Sequence, residues 1–150
     1  MAYLITKSGY LKLKEELRFL IEVERPRTIE LLENSRVIGD AQLEDSDYIV
    51  ACSERDMIEE RIDRLTRLID EARPVDLKTH YDTVEFGAII EIEDCDTLKR
   101  NKYRIVSAVE SNPSEGTISI EAPIVKQFIG GSIGDYAEFN GKEYELISIC

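Results

Sequence analysis

The feature that most limits how this chain folds is a regular stripe of side chains between residues 48 and 69. The spacing alternates between three and four residues through Tyr48, Ala51, Arg55, Ile58, Ile62, Leu65 and Ile69, with Arg55 as the polar member. Such a repeat is typical of a helix that packs along a second helix in a coiled coil. Acidic residues favour the N-terminus of a helix, so we expect this helix to begin between Glu44 and Asp47. It is expected to end at Ala72-Arg73-Pro74.

An earlier helix is predicted to begin near Thr6 or Ser8, either of which can cap it. Its stripe contains Tyr10, Leu13, Leu17 and Leu20 and resumes at Ile29, Leu31 and Leu32. Pro26 removes one backbone hydrogen bond and predicts a bend, and Gly39 is the expected stop. Two long helices joined by a short turn bury their stripes by packing antiparallel. About 31 residues at about 1.5 Å each predict a hairpin roughly 45 Å long, a finger.

The second half of the chain has a different composition. Residues 74–150 contain three prolines, six glycines and short β-branched runs. These runs predict strands over 84–93, 102–109, 117–120, 134–139 and 143–149, with a short helix over 122–129. The predicted fold class is α+β. An N-terminal antiparallel α-helical coiled-coil hairpin occupies residues 1–74, a linker residues 75–82, and an antiparallel β domain with one short helix residues 83–150.

Charge and motifs exclude several classes of function. The net charge of -12 argues against general attraction to nucleic-acid phosphates, which relies on Lys and Arg. The three cysteines form no CxxC pair and the single histidine, His80, offers no second ligand, so the thiols are expected to be reduced. Without a P-loop or a GxSxG motif, we expect neither an enzyme nor a small-molecule substrate. Without a signal peptide or an apolar run of roughly 20 residues, we expect a cytoplasmic protein with no membrane partner.

The turn between the two predicted helices is acidic. Residues 39–48 contain four carboxylates, Asp40, Glu44, Asp45 and Asp47, and no basic side chain. Carboxylate oxygens suit Mg²⁺, which takes one or two of them and keeps several waters, so the turn predicts a partial metal site that a partner completes. Alternatively, Glu44, Asp45 and Asp47 only complement the positive N-terminus of the second helix. That alternative does not cover Asp40, which follows a predicted helix C-terminus.

Basic residues of the first helix, among them Arg18, Arg25 and Arg36, allow two interpretations. They form a strip that touches RNA or phosphate, or they pair with neighbouring glutamates such as Glu15 and Glu22 at helical spacing.

These segments together resemble the Gre family of bacterial transcript-cleavage factors. In the first half the resemblance is carried by Thr6-Lys7-Ser8-Gly9-Tyr10, Leu13-Lys14-Glu15-Glu16-Leu17, Arg25-Pro26, Arg36-Val37-Ile38-Gly39-Asp40, and Glu44 followed by Tyr48. In the second half it is carried by Phe86-Gly87-Ala88, Tyr103-Arg104-Ile105-Val106, Ala122-Pro123-Ile124 and Ile129-Gly130. The matches keep the family's order along nearly the whole chain.

The resemblance implies a transcription elongation factor, which we expect to be a monomer. Its second domain, similar to FK506-binding proteins, would dock on RNA polymerase at the rim of the secondary channel through Ala122, Pro123 and Ile124. The finger would enter the channel, where Asp40 and Glu44 help to hold the second Mg²⁺ while the polymerase cleaves the 3′ end of backtracked nascent RNA. The implied supporting residues at the tip are Asp45, Asp47 and Tyr48, and the implied RNA contacts are Arg18, Arg25 and Arg36.

The tip departs from the family's pattern in one respect. The family usually spaces its tip Asp and Glu three residues apart, whereas Asp40 and Glu44 are four apart. Mg²⁺ demands near-ideal octahedral geometry, so a longer turn leaves the sign of the effect open. The alternative is a Gre-like anti-cleavage factor that enters the same channel and inhibits. A third possibility is an interaction module with no metal role.

Overall fold

The computed structural model describes the backbone of residues 2–38 and 46–150, and the side chains of residues 2–35 and 47–150. The chain divides into two compact units, one made of the residues up to Gly9 with Arg73–Cys150, the other of Tyr10–Ala72. This division differs from the predicted boundaries, which placed residues 1–9 with the helices. None of the helices within these described ranges is long and apolar enough to cross a membrane.

The helical unit is a hairpin. Its elements are helix α1 (Lys7–Phe19) from Tyr10 onwards, a π-helical turn (Leu20–Glu24), helix α2 (Arg25–Ile38) and helix α3 (Ser46–Glu71). Arg–Glu pairs join the two arms, namely Glu16 with Arg61, Arg25 with Glu59, and Arg27 with Glu54. From the first pair to the others, residue numbers rise on one arm and fall on the other, so the arms run antiparallel, as predicted. The α3 start also lies in the predicted interval, whereas the Gly39 stop lies outside the described residues.

The predicted stripe of α3 forms the seam of the hairpin. Ala51, Ile62 and Leu65 are buried, and Ile58 and Ile69 are half-buried. Leu13 and Leu20 are buried on the facing arm. Burying a leucine or isoleucine side chain stabilises a fold by roughly 1.5 to 3 kcal/mol, so packing along this seam accounts for the helical unit.

Beyond Leu20 the predicted stripe of the first arm is confirmed at Leu32 but wrong at Ile29 and Leu31. Ile29 and Leu31 are 46% and 37% exposed, while Thr28 is fully buried and Leu32 nearly so. The physical reason is the π-helical turn, in which the Arg25 amide bonds to the Leu20 carbonyl five residues earlier. A π turn holds one residue more than an α turn and so rotates the following helix by about 100°. The turn ends at Glu24, two residues before Pro26, whose ring would clash with the preceding turn of a regular α-helix.

The second unit contains a five-stranded sheet. Its strands are β3 (Ile89–Asp94), β4 (Arg100–Val106), β5 (Thr117–Ser119), β6 (Tyr136–Phe139) and β7 (Lys142–Ile149), in the order β5-β4-β3-β7-β6. Helix α4 (Pro123–Phe128) packs on one face, where Val125 and Phe128 join Ile90, Ile105 and Leu146 in the core. The predicted fold class is confirmed, with one correction. Because β4 and β5 pair in parallel, the sheet is mixed rather than wholly antiparallel.

Two short strands were not predicted. Strands β1 (Tyr3–Thr6) and β2 (Ala72–Val75) pair with each other in a separate two-stranded sheet. Pro74 has no backbone N–H to donate within β2. In addition, a strand of four residues is too short to show a recognisable alternation of apolar and polar side chains. The pairing explains why the first residues belong with the sheet-bearing unit. The predicted strand over 84–93 also begins later, because Gly87 adopts a left-handed φ of 92°.

Candidate functional site

The predicted site is the turn between α2 and α3. Asp40, Glu44 and Asp45 lie outside the described residues, as does the side chain of Arg36. The turn is bracketed by Ile38, the last residue of α2, and Ser46, the first of α3. Asp47 is exposed in the first turn of α3, where its charge favours the helix N-terminus, and Tyr48 is half-buried. Across residues 2–38 and 46–150, no cluster of three or more Asp, Glu, His or Cys side chains could hold a metal ion.

Arg18 and Arg25, two predicted RNA contacts, form ion pairs within the hairpin. Arg18 hydrogen-bonds to Glu15, which raises the pKa of its guanidinium, and lies 4.0 Å from Glu22. Arg25 donates two hydrogen bonds to Glu59, at 2.9 and 2.8 Å. The predicted pairing with neighbouring glutamates is confirmed for Arg18. Contact with RNA would require these pairs to be shared or broken, and it stays a prediction.

A carboxylate that the sequence did not single out fixes the start of α1. Glu110 accepts hydrogen bonds from the Thr6 amide (3.2 Å), the Thr6 hydroxyl and the Ser107 hydroxyl (2.8 Å). The Thr6 hydroxyl accepts a bond of 3.1 Å from the Gly9 amide, so Thr6 is the residue that caps α1. A Cβ on Gly9 would collide with the Glu110 carboxylate. The signal in the sequence was the Thr-x-x-Gly spacing, but its partner is distant in sequence.

The predicted docking residues lie at the start of α4. Pro123 is exposed at its first position, and Ala122 is half-buried. Ile124 is only 8% exposed because its side chain belongs to the core of the sheet. Of the three residues, Pro123 therefore presents the side chain that a partner would meet. The docking role itself stays a prediction.

The cysteines carry no reactive signature. Cys52 and Cys95 are half-buried, Cys150 is exposed, and all three are free. Burial, reinforced by nearby carboxylates such as Glu143 and Glu145, raises the pKa of the Cys95 thiol. A raised pKa disfavours the thiolate, the reactive form.

Both halves of the chain match known sequences. Residues 3–73 match the family model "Transcription elongation factor, N-terminal", and residues 78–149 match "Transcription elongation factor, GreA/GreB, C-term". This chain belongs to the GreA/GreB transcription elongation factor family. The family predicted from the sequence is therefore confirmed.

Curated relatives of this family member cover nearly its whole length. Transcription elongation factor GreA of Nautilia profundicola is 38% identical over 97% of this chain and 93% of its own. The GreA of Chelativorans sp. is 38% identical over 97% of this chain and 95% of its own.

Solved structures that resemble this family member include two proteins named Gfh1. The Gfh1 of Thermus aquaticus is 28% identical, with a TM-score of 0.48, over 99% of this chain and 97% of that one. The Gfh1 of Thermus thermophilus, named GreA factor homolog 1, is 24% identical, with a TM-score of 0.48, over 100% of this chain and 99% of that one.

Proposed function

We propose that this GreA/GreB family member acts on bacterial RNA polymerase. Its hairpin enters the secondary channel and stimulates Mg²⁺-dependent cleavage of the 3′ end of backtracked RNA, which rescues arrested complexes. The observation that carries the proposal is the combination of a family match over both halves with a helical hairpin that has four carboxylates within residues 39–48. The protein is an accessory factor, since the bond is broken in the polymerase. It works as a monomer in the cytoplasm, where bacterial transcription takes place.

The donor chemistry of the tip fits the proposed cation. Asp40 and Glu44 would supply carboxylate oxygens, the hard ligands that Mg²⁺ prefers. Two carboxylates are an incomplete set, so the remaining ligands would come from the polymerase and from water, and the free protein would hold the ion weakly. When bound, the ion would stabilise charge on the attacking and leaving oxygens of the cleaved phosphodiester.

The described residues contribute rigidity to this arrangement. The buried seam and the Arg25–Glu59 and Arg61–Glu16 pairs tie the two arms together along the hairpin. A tip that carries ligands must hold them within a fraction of an ångström of the productive position, which a loose loop does not do. In this proposal the sheet-bearing unit docks on the polymerase through the surface around Pro123.

The test uses purified polymerase stalled in a backtracked complex with Mg²⁺ and a labelled RNA 3′ end. The wild-type factor is expected to release short 3′ fragments. Asp40→Asn and Glu44→Gln are each expected to slow release by about two orders of magnitude, the scale for loss of one charge-stabilising group. Both variants should still bind polymerase. The matched control Asp70→Asn removes an exposed carboxylate near the end of α3 and should cleave like wild type.

A second function is favoured by the spacing of the tip acids. Asp40 and Glu44 lie four residues apart rather than three. If the wild type binds polymerase but suppresses both cleavage and elongation, the protein is an anti-cleavage factor of the same channel. Absence of any binding to polymerase would refute both functions and leave an interaction module for another partner.

A further inference from the structure

The part of the hairpin next to the tip exposes large apolar side chains. Ile49 and Val50, near the start of α3, are 60% and 58% exposed, and Leu31 of α2 is 37% exposed. Exposed apolar residues that are contiguous mark interaction surfaces more often than isolated ones do. Leu31 and Val50 line one groove between α2 and α3, which we call the tip groove.

The tip groove exists for two structural reasons. The π-helical turn rotates α2 so that Leu31 leaves the seam and forms a wall, while Leu32 takes its place inside. On α3 the buried seam residue at this level is Ala51, and its small side chain leaves space between the two helices at the bottom of the groove. The hydroxyl of Ser35 bonds back to the carbonyls of Leu31 and Leu32 at 2.8 and 3.0 Å. The Ser35 hydroxyl is therefore satisfied within α2, and the other uncharged polar side chain that lines the groove is Asn34.

The rim of the groove is anionic. Asp47 and Glu54 lie seven residues apart on α3, on either side of Val50, and both line the groove. Arg27 approaches Glu54 at a distance of 3.5 Å, but this pair is largely exposed and weak. The groove volume of about 280 Å³ falls at or below the lower limit of small-molecule pockets, roughly 300 Å³. An apolar floor of this size between two carboxylates fits an apolar side chain flanked by a cation.

We propose that the tip groove is a docking site for a segment of RNA polymerase that inserts an apolar side chain beside a lysine or arginine. This inference rests on the proposed function, which brings the tip-proximal hairpin inside the polymerase. Burial of Leu31 and Val50 would then supply binding energy, and Asp47 and Glu54 would supply charge complementarity. The groove would anchor the hairpin while the turn beyond it carries the metal ligands.

The main test measures the factor concentration that half-saturates cleavage of backtracked RNA. Val50→Lys places a cation in the groove. It is expected to raise that concentration by about tenfold, as for loss of one interface anchor. Leu31→Lys tests the opposite wall and should have a similar effect. Met57→Lys makes the same change at a 68% exposed residue of α3 that does not line the groove, and it should stay within about twofold of wild type. Circular dichroism checks that all three variants keep their helices.

A second measurement identifies the occupant. A photo-crosslinking amino acid at position 50 should capture a polymerase peptide that contains an apolar residue next to Lys or Arg, with less capture at high salt. Capture of a peptide without such a cation would overturn the proposal. Equal half-saturation for Val50→Lys, Leu31→Lys and Met57→Lys would also overturn it, while leaving the proposed function intact. Sedimentation of the wild type as a dimer that Val50→Lys dissolves would show that a second copy fills the groove. A wild type that never binds polymerase would instead refute the proposed function.

Discussion

Arg25 and Glu59 form a two-point ion pair across the hairpin, with Arg25 Nε 2.9 Å from Glu59 Oε2 and Nη2 2.8 Å from Oε1. The hydrogen bonds raise the pKa of the Arg25 guanidinium and lower the pKa of the Glu59 carboxyl. Arg25 lies between the π-helical turn and Pro26, the irregular part of the first arm. The pair therefore links α3 to the part of the facing arm where the regular α-helical hydrogen bonding is interrupted.

We expect Glu59→Gln to lower the free energy of unfolding by about 0.5 to 1 kcal/mol, because both side chains are partly exposed and solvent weakens their attraction. Urea denaturation followed by circular dichroism measures the change. Glu60→Gln is the matched control, since the ion pair of Glu60 with Arg64 lies along its own helix and Glu60 is more exposed than Glu59. Equal losses for the two variants would show that the cross-arm pair does not stabilise the hairpin.

The same pair predicts a dependence on pH. The pKa of Glu59 is lower in the folded protein than its ordinary value of about 4.3, so the pair stabilises the fold fully above that value. The stabilisation is lost as the pH falls through the folded-state pKa. The difference in unfolding free energy between wild type and Glu59→Gln should therefore be constant from about pH 7 to 5 and shrink below about pH 4. A difference that grows on acidification would contradict this assignment.

Local patterns in the sequence predicted the hairpin because each repeats over many residues. The stripe from Tyr48 to Ile69 spans three heptads, and the structure keeps it as the seam. On the first arm, the predicted stripe contained Leu31 and not Thr28, although a bend at Pro26 was expected. A π turn adds one residue to the helix, and the only sign of it in the sequence is Pro26. The resulting rotation of the following residues about the helix axis could therefore not be predicted.

Two contacts between residues distant in sequence could not be predicted from local patterns. Glu110 reaches Thr6 across 104 positions, and a lone glutamate after a strand has no local pattern that names its partner. The parallel pairing of β4 with β5 depends on a connection whose path the strand patterns do not specify. For the candidate site, the sequence predicts which residues take part but not where they lie. The identities of Asp40 and Glu44 could be predicted from charge and from family motifs, whereas their positions depend on the conformation of one turn.

The edge of the sheet offers a prediction with a local readout. Gln127 of α4 donates a hydrogen bond to the Glu138 carbonyl (2.8 Å) and accepts one from the Glu138 amide (3.0 Å), which closes part of the open edge of β6. Gln127→Ala should speed hydrogen exchange at the Glu138 amide and lower the free energy of unfolding by about 1 kcal/mol. As a control, Lys126→Ala changes the exposed residue that precedes Gln127 in α4, and it should leave the exchange rate of the Glu138 amide unchanged. Faster exchange in both variants would trace the effect to the helix rather than to the amide pair.

The contact between Gly9 and Glu110 leads to a prediction for a double-mutant cycle: the effect of Gly9→Ala on the free energy of unfolding should change sign when Glu110 is removed. In an ordinary helix, replacing glycine by alanine stabilises by up to about 1 kcal/mol. Here the new Cβ would collide with the Glu110 carboxylate and force it away from Thr6 and Ser107, so Gly9→Ala should destabilise by about 1 to 3 kcal/mol.

In a Glu110→Ala background that obstacle is gone, and Gly9→Ala should become stabilising because only the helix preference remains. Chemical denaturation of the four proteins gives the coupling energy directly. If Gly9→Ala has the same sign in both backgrounds, the glycine is required by the backbone and not by the carboxylate. A reversal would show that this glycine is there because a carboxylate 101 positions away occupies the space beside it.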